Sequence, residues 1–438
     1  AYDKAGNIQT NFVVGNSSHT IRIDKLPPIV SISTPVSNGK YSVFPTITGA
    51  VSDQNPETAS GISGTSNIQI SVSYIDGNTT YYFDGASSFV DTLNETNSFF
   101  NSTSYTPEGP SSGTWVFNPS GLSSALVPNK VYRIRARAQD NAIPTPNPSD
   151  LMLNITTTYN IIYDTTPPQS TIEIPINGST LNVVNIIAGN ANDNLAGISS
   201  RSQISVSICE IEPLGLCWDG VVPGTFTVAS EVFYSLDSDP SLNGSYTNGV
   251  WQMNAPAFRD GYRYRIRVRA CDDAVPTNCE VELSSITFVY DTTPPDITIA
   301  KPVNNRYYGV NVSSGDYYLD LIYGSASDAF GVSRTEVQIY DVISSSYWHT
   351  GGWVVGVSSF HYAGSDSGSY EPPPFSDGMR YRLEVRSYDI AGNLSPYVTY
   401  YFYYDATAPN VTITKPGNNY WYNSVDQIEG VATDPDVG

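Results

Sequence analysis

The sequence predicts an all-β chain built from several sandwiches in tandem, and three observations carry that reading. Composition is the first: 438 residues include 54 Ser, 37 Thr, 34 Asn, 34 Gly, 30 Pro and 32 Tyr. That is a strand-and-turn mixture, and 40% hydrophobic content is enough to bury a core rather than remain disordered. The second is a recurring junction: Asp24-Lys-Leu-Pro-Pro28, Asp164-Thr-Thr-Pro-Pro168, Asp291-Thr-Thr-Pro-Pro295 and Asp405-Ala-Thr-Ala-Pro409. The third is a recurring strand: Tyr132-Arg-Ile-Arg-Ala-Arg-Ala-Gln-Asp140, Tyr264-Arg-Ile-Arg-Val-Arg-Ala-Cys-Asp272 and Tyr381-Arg-Leu-Glu-Val-Arg-Ser-Tyr-Asp389.

Taken in order, each junction is followed by an alternating strand (Ile29–Ser33, Ser170–Ile174, Asp296–Ile299, Asn410–Ile413) and then a Pro–Asn/Gly turn. The junctions recur at 140, 127 and 114 residues, too long for a solenoid repeat and right for a sandwich with variable loops. In the closing strand, period-2 alternation sends Tyr132, Ile134, Ala136 and Ala138 to one face and Arg133, Arg135 and Arg137 to the other. The arginines are expected on a solvated sheet face opposite acidic neighbours. Three complete repeats follow, at 24–163, 164–290 and 291–404. Residues 1–23 read as the tail of an earlier repeat and 405–438 as the start of a later one, so the chain reads as a window on a longer protein.

The motif Asp389-Ile-Ala-Gly-Asn393, with its counterpart at Asp3–Asn7, followed by a Tyr-Asp-Thr-Thr-Pro-Pro junction resembles bacterial Ig-like tandem repeats. The stretch from Pro128 through Tyr132 is also similar to fibronectin type III, where a Tyr near the start of strand F packs at the sheet corner. The resemblance covers nearly the whole chain. It implies Ig-like Greek-key β-sandwiches arranged end to end as a rod, in a large cell-surface or secreted adhesin-type protein.

Three classes of aspartate repeat with the domains. The junction class is Asp24, Asp164, Asp291 and Asp405. A second closes the next core strand: Asp53, Asp193, Asp328 and Asp434, spaced 29, 29, 37 and 29 residues from the first. The third follows the Tyr strand: Asp140, Asp272 and Asp389, with Asp3 from the tail. In an Ig-like sandwich the linker, the B–C loop and the F–G loop share one pole. Three carboxylates meeting there repel one another unless a cation lies among them. Oxygen ligands without His or Cys suit Ca²⁺, with Asn141, Asn192 or Asn194 available to complete the shell. Calcium stiffening each junction is therefore expected; cadherins, which the repeats resemble, do the same. The competing reading is that these Asp residues form Asx-turns and caps, with the Pro-Pro pair alone stiffening the linker.

All four cysteines lie in the second repeat, as Cys209/Cys217 and Cys271/Cys279. Each pair brackets a turn, so two local hairpin disulfides are expected, in an oxidising, extracytoplasmic setting. A zinc site is the alternative, but a spacing of eight is not CxxC and no His lies nearby. Trp115, Trp251 and Tyr370 occupy matching places by motif and are expected in the core. His349 and His361 lie in an aromatic stretch with Trp348 and Trp353, read as hairpin packing rather than a recognition patch. Ten Asn-x-Ser/Thr sequons, Asn16, Asn78, Asn94, Asn101 and Asn154 among them, barely exceed chance for this composition.

The formal charge of −21 argues against nucleic acid, which needs a basic footprint, and against an anionic membrane surface. No run of 18 apolar residues suggests membrane insertion of this segment. No Ser/His/Asp arrangement, HExxH helix or Gly-rich phosphate loop points to an enzyme. The reading is an extracellular spacer, stalk or filament segment. Its partners are neighbouring repeats of the same chain and, in a fibre, copies of itself. One alternative is an adhesin gripping a glycan or cell-surface ligand through loops such as Asp84–Pro110 and Ser344–Tyr362. The other is an accessory module of a secreted hydrolase.

Overall fold

In a computed structural model the described residues are 4, 5, 8, 21–54, 59–143, 158–309 and 316–434. Asp3, Gly6 and Asn7 of the first motif, and sequons Asn16 and Asn154, lie outside them. Of 1–23, only Lys4, Ala5, Ile8 and 21–23 are described.

Strands take Ig lettering below. In the first sandwich, A (Ile29–Thr34), B (Ile47–Ser52), E (Ser112–Phe117) and D (Ser104–Pro107) form one sheet in the order A-B-E-D. The second sheet runs A′ (Lys40–Tyr41), G (Thr158–Tyr163), F (Lys130–Ala138), C (Ile68–Asp76), C′ (Thr79–Phe83) and a short outer strand, Phe89–Val90. A′ lies parallel to G; the other pairs are antiparallel. The second sandwich repeats this order between Gln169 and Tyr290, and the third does so between Asp296 and Tyr404 without strand D. A two-stranded piece, Asn410–Lys415 with Glu429–Thr433, follows. Each sandwich exceeds the seven strands of the simplest Ig-like sandwich because A divides between the two sheets and C′ continues into a short outer strand.

Alternation in strand F determines the core. Tyr132, Ile134, Ala136 and Ala138 are buried, as are Tyr264, Ile266, Val268 and Ala270, and Tyr381, Leu383 and Val385. The hydroxyls of Tyr132, Tyr264 and Tyr381 accept from the amides of Val127, Arg259 and Ser376, each five residues upstream. This pins the turn entering strand F to its first core residue.

Two sequence expectations are corrected here. Arg135 is not solvated: it is 1% exposed. The loop after C′ folds over that face, Glu95 pairing with Arg133 and Arg135 while the Phe99 ring covers Arg135 and Arg137. Glu231 and Phe233 do the same for Arg267 in the second sandwich, and Phe360 covers Arg386 in the third. Desolvated guanidinium stays favourable because both a carboxylate and a ring face meet it. Second, Tyr370 is not the counterpart of Trp115 and Trp251. Those tryptophans stand opposite Gly49 and Gly189, and the residue opposite the equivalent Gly324 is Gly368. Tyr370 pairs with Ile322, the place of Phe117 and Met253.

The histidines pack. His349 and His361 each bond through Nε2 to a main-chain oxygen, of Val357 and Trp348, while Trp348 Nε1 donates to the Tyr370 hydroxyl. Both hairpin disulfides are formed, Cys209–Cys217 across directly paired strand positions and Cys271–Cys279 across an isolated bridge just past strand F.

Candidate metal centre at each junction

Strand A leaves the pole at which strand B ends and strand F ends, so three loops converge where each sandwich begins. Asp24, Asp53 and Asp140 come together there; so do Asp164, Asp193 and Asp272, and Asp291, Asp328 and Asp389. In each trio, one carboxylate oxygen per residue lies within 4.8 Å of the other two. Two oxygens bound to one Ca²⁺ at ~2.3–2.6 Å sit at most about 5 Å apart, so the spacing fits a shared ion. Asp405 and Asp434 belong to no such trio among the described residues; Asp434 is exposed.

The loops hold these carboxylates by backbone donors. Asp53 Oδ2 accepts from the Gly61 amide at 2.7 Å, and Asp193 Oδ2 from Leu195 and Gly197. Asp164 reaches across to the Ala196 amide at 2.7 Å, joining linker to B–C loop. Asp272 accepts from the amides of Ala274 and Asn278, Asp389 from those of Gly392 and Asn393, and Asp328 from that of Phe330. The Asx-turn reading is thus realised in part: Asp164, Asp272 and Asp389 accept on both oxygens, whereas Asp53, Asp193 and Asp291 are held by one.

The other face is the informative one. Asp53 Oδ1 and Asp291 Oδ2 are buried and have no hydrogen-bond donor, although these residues are only 1% and 2% exposed. A buried, unpaired carboxylate oxygen is costly. Burial pushes the carboxyls of Asp53, Asp164 and Asp291 above the usual range, and the two neighbouring aspartates of each trio push further the same way. A divalent ion would satisfy both problems, so the donor set fits Ca²⁺.

Two contributors escaped the sequence reading. Asn278 and Asn393 each donate through Nδ2 to the third-class aspartate (Asp272, Asp389) and to the carbonyl of the junction aspartate (Asp164, Asp291). Asn393 was visible as the last residue of Asp-x-Ala-Gly-Asn; Asn278, six residues after its Asp, carried no local signal. The same pole also touches the sandwich before it. Asp273 pairs with Lys40 at 2.8 Å, the Val275 amide donates to the Lys40 carbonyl, and Asn182 donates to Asn393.

No family model and no curated protein matches the chain. Similar solved structures include the fibronectin(III)-like modules of Clostridium thermocellum CbhA, 14% identical, covering 54% of this chain and 95% of that one with a TM-score of 0.25. The chicken CNTN1 FN1-FN3 domains are 12% identical over 86% of this chain and 98% of that one, with a TM-score of 0.24. Protocadherin gamma B2 extracellular cadherin domains 3-6 are 14% identical over 89% of this chain and 78% of that one, with a TM-score of 0.31. By its own strand order the chain is a tandem of Ig-like sandwiches, the architecture that fibronectin type III and cadherin repeats share. Among the described residues no helix is long and apolar enough to cross a membrane.

Proposed function

We propose that this chain is a stiff, non-enzymatic spacer in a long extracellular surface protein, with Ca²⁺ held at each sandwich junction by a trio of aspartates. One observation carries the reading: the same three-carboxylate arrangement recurs three times, always at the pole where one sandwich meets the linker before it. A ligand pocket serving recognition would have no reason to recur with the junctions. Binding there would tie the linker to the B–C and F–G loops, removing the bending freedom that adjacent domains otherwise have. The two disulfides in the middle sandwich support an oxidising compartment.

Calorimetric titration of the full chain with Ca²⁺ tests this, beside a variant carrying Asp53→Asn, Asp164→Asn and Asp291→Asn. Asparagine removes the charge and keeps the backbone-accepting oxygen of Asp53 and Asp291; at Asp164, whose two oxygens accept from the Thr166 and Ala196 amides, it also gives up one of those bonds. Binding at about 100-fold above Kd should stabilise a sandwich by about 2.7 kcal/mol, raising its melting temperature in the native chain and not in the variant. No heat of binding, with melting temperature and interdomain angles unchanged by Ca²⁺, would overturn the metal assignment.

A further inference from the structure

Every sandwich also grips the linker that leaves it, by a polar residue on the turn before its corner tyrosine, three positions before it in the first sandwich and four in the other two. In the first it is Asn129, which donates through Nδ2 to Thr166 Oγ1 and accepts from the Thr165 amide. In the second, Asp260 accepts from the Thr292 amide through one oxygen and from Thr293 Oγ1 through the other. In the third, Asp377 accepts in the same way from the Ala406 amide and Thr407 Oγ1. The intervening aspartate is held in turn: the amides of Asp164, Asp291 and Asp405 donate to the carbonyls of Tyr41, Leu181 and Tyr308, all on strand A′ of the sandwich being left. From the far side, Asn278 and Asn393 of the following sandwich hold the carbonyls of Asp164 and Asp291.

We infer that Asn129, Asp260 and Asp377 are positioning residues, forming a polar clamp that sets the direction of each linker with no metal bound. The residue sits on the turn that the corner tyrosine anchors, so the clamp is fixed to the core of its own sandwich rather than to a mobile loop. Two linker groups are held at each junction: a main-chain amide that donates, and a threonine hydroxyl that donates to Asp260 or Asp377 and accepts from Asn129. That arrangement dictates both a position and an orientation. Asn129, one position nearer its tyrosine than Asp260 and Asp377 are to theirs, engages the linker amide and the threonine hydroxyl without a negative charge, so the clamp does not need one. The Thr-Thr of the junction acquires a purpose: the second threonine supplies the hydroxyl the clamp needs, and that threonine is retained at 407 where the first is replaced by alanine. This inference rests on the spacer reading for its purpose, but it does not rest on calcium.

The test uses the full chain with fluorescent non-canonical residues at exposed Thr227 and Ser333, one on each side of the Asp291 junction. Single-molecule distances are recorded in chelator and then in Ca²⁺, for the native residue, Asp260→Ala and Asp260→Asn. In chelator, Asp260→Ala should roughly double the width of the distance distribution, because adjacent domains move freely unless a junction restrains them. Asp260→Asn should keep the native width, and both variants should keep the native melting temperature. An Ala variant as narrow as native in chelator, or an Asn variant as broad as Ala, would overturn the clamp. A native junction already broad in chelator and narrow only in Ca²⁺ would overturn the clamp while leaving the metal reading standing. A junction narrow in both conditions and broadened by Asp260→Ala would establish the clamp and remove calcium's stiffening role.

Discussion

The second and third sandwiches share a strand order, yet they fill their centres in opposite ways. In the second, the chain leaves the strand Tyr234–Ser235, makes a short 3-10 turn at Pro240–Leu242, and returns as strand D before strand E begins at Val250. That detour leaves the space opposite Gly189 open, and Trp251 occupies it, fully buried, with Nε1 donating to the carbonyls of Thr171 and Asn190. In the third, His361–Gly364 passes to strand E at Ser367 with no strand D between. The crossing backbone lies under Gly368: a Cβ there would sit 2.3 Å from the Ala363 carbonyl oxygen. The backbone thus enters the volume that tryptophan fills elsewhere. An apolar cavity of about 30 Å³ remains beside it, lined by Ile299, Ile322, Gly324, Val337 and Gly368. The length of one connection decides whether this position takes the largest side chain or none.

Breaking the comparison at its strongest point means Trp251→Ala. Loss of a buried tryptophan should cost about 3–5 kcal/mol, read as a lowered melting transition of the second sandwich with the third unmoved. Trp115→Ala should do the same to the first. A loss below ~1 kcal/mol would show that the site collapses and that the tryptophan is not the centre of this core. The disulfides come next. Each closes a loop of about nine residues, worth about 2.5 kcal/mol by loop entropy. Reduction should therefore lower the second transition and leave the other two in place, as differential scanning calorimetry can resolve. Gly368→Ala sharpens the contrast from the other side. A single added methyl should destabilise the third sandwich by about 1–3 kcal/mol through overpacking, whereas a neutral result would show that the crossing strand yields.

The smallest effect is common to all three sandwiches. Asp53, Asp164 and Asp291 have folded-state values raised above the unfolded value of 3.8, by burial and then by their acidic neighbours. Between 3.8 and those raised values the folded chain holds protons the unfolded chain releases, so in chelator stability falls as pH rises through that window. Glu95, Asp260 and Asp273 are shifted downward and act in the opposite sense at lower pH. The difference in denaturant midpoint between native chain and the triple Asn variant isolates the trios. That difference should widen against the native chain from pH 4 to pH 7, and a flat difference would show that neither burial nor the neighbouring carboxylates raise these groups.

Much of this was written in residue spacing. Alternation in strand F named its core face because side-chain direction in a strand follows parity alone. The aspartate trios were legible because three loops of a Greek-key sandwich meet at one pole whatever their lengths, so topology converts three sequence classes into one cluster. The Cys pairs likewise follow from hairpin geometry. What spacing could not reveal depends on where unrelated loops come to rest. Glu95 and Phe99 cover arginines some 40 residues away in sequence, and a motif match placed Tyr370 where register places Gly368. Asn129, Asp260 and Asp377 lie in turns that the sequence marks only as turns, by Pro-Asn or Asp-Gly, and only the three-dimensional approach of the linker gives them a partner. Local periodicity is dictated residue by residue along the chain; the content of the space between two sheets depends on the path of whatever backbone crosses it, and that is settled only when the whole sandwich closes.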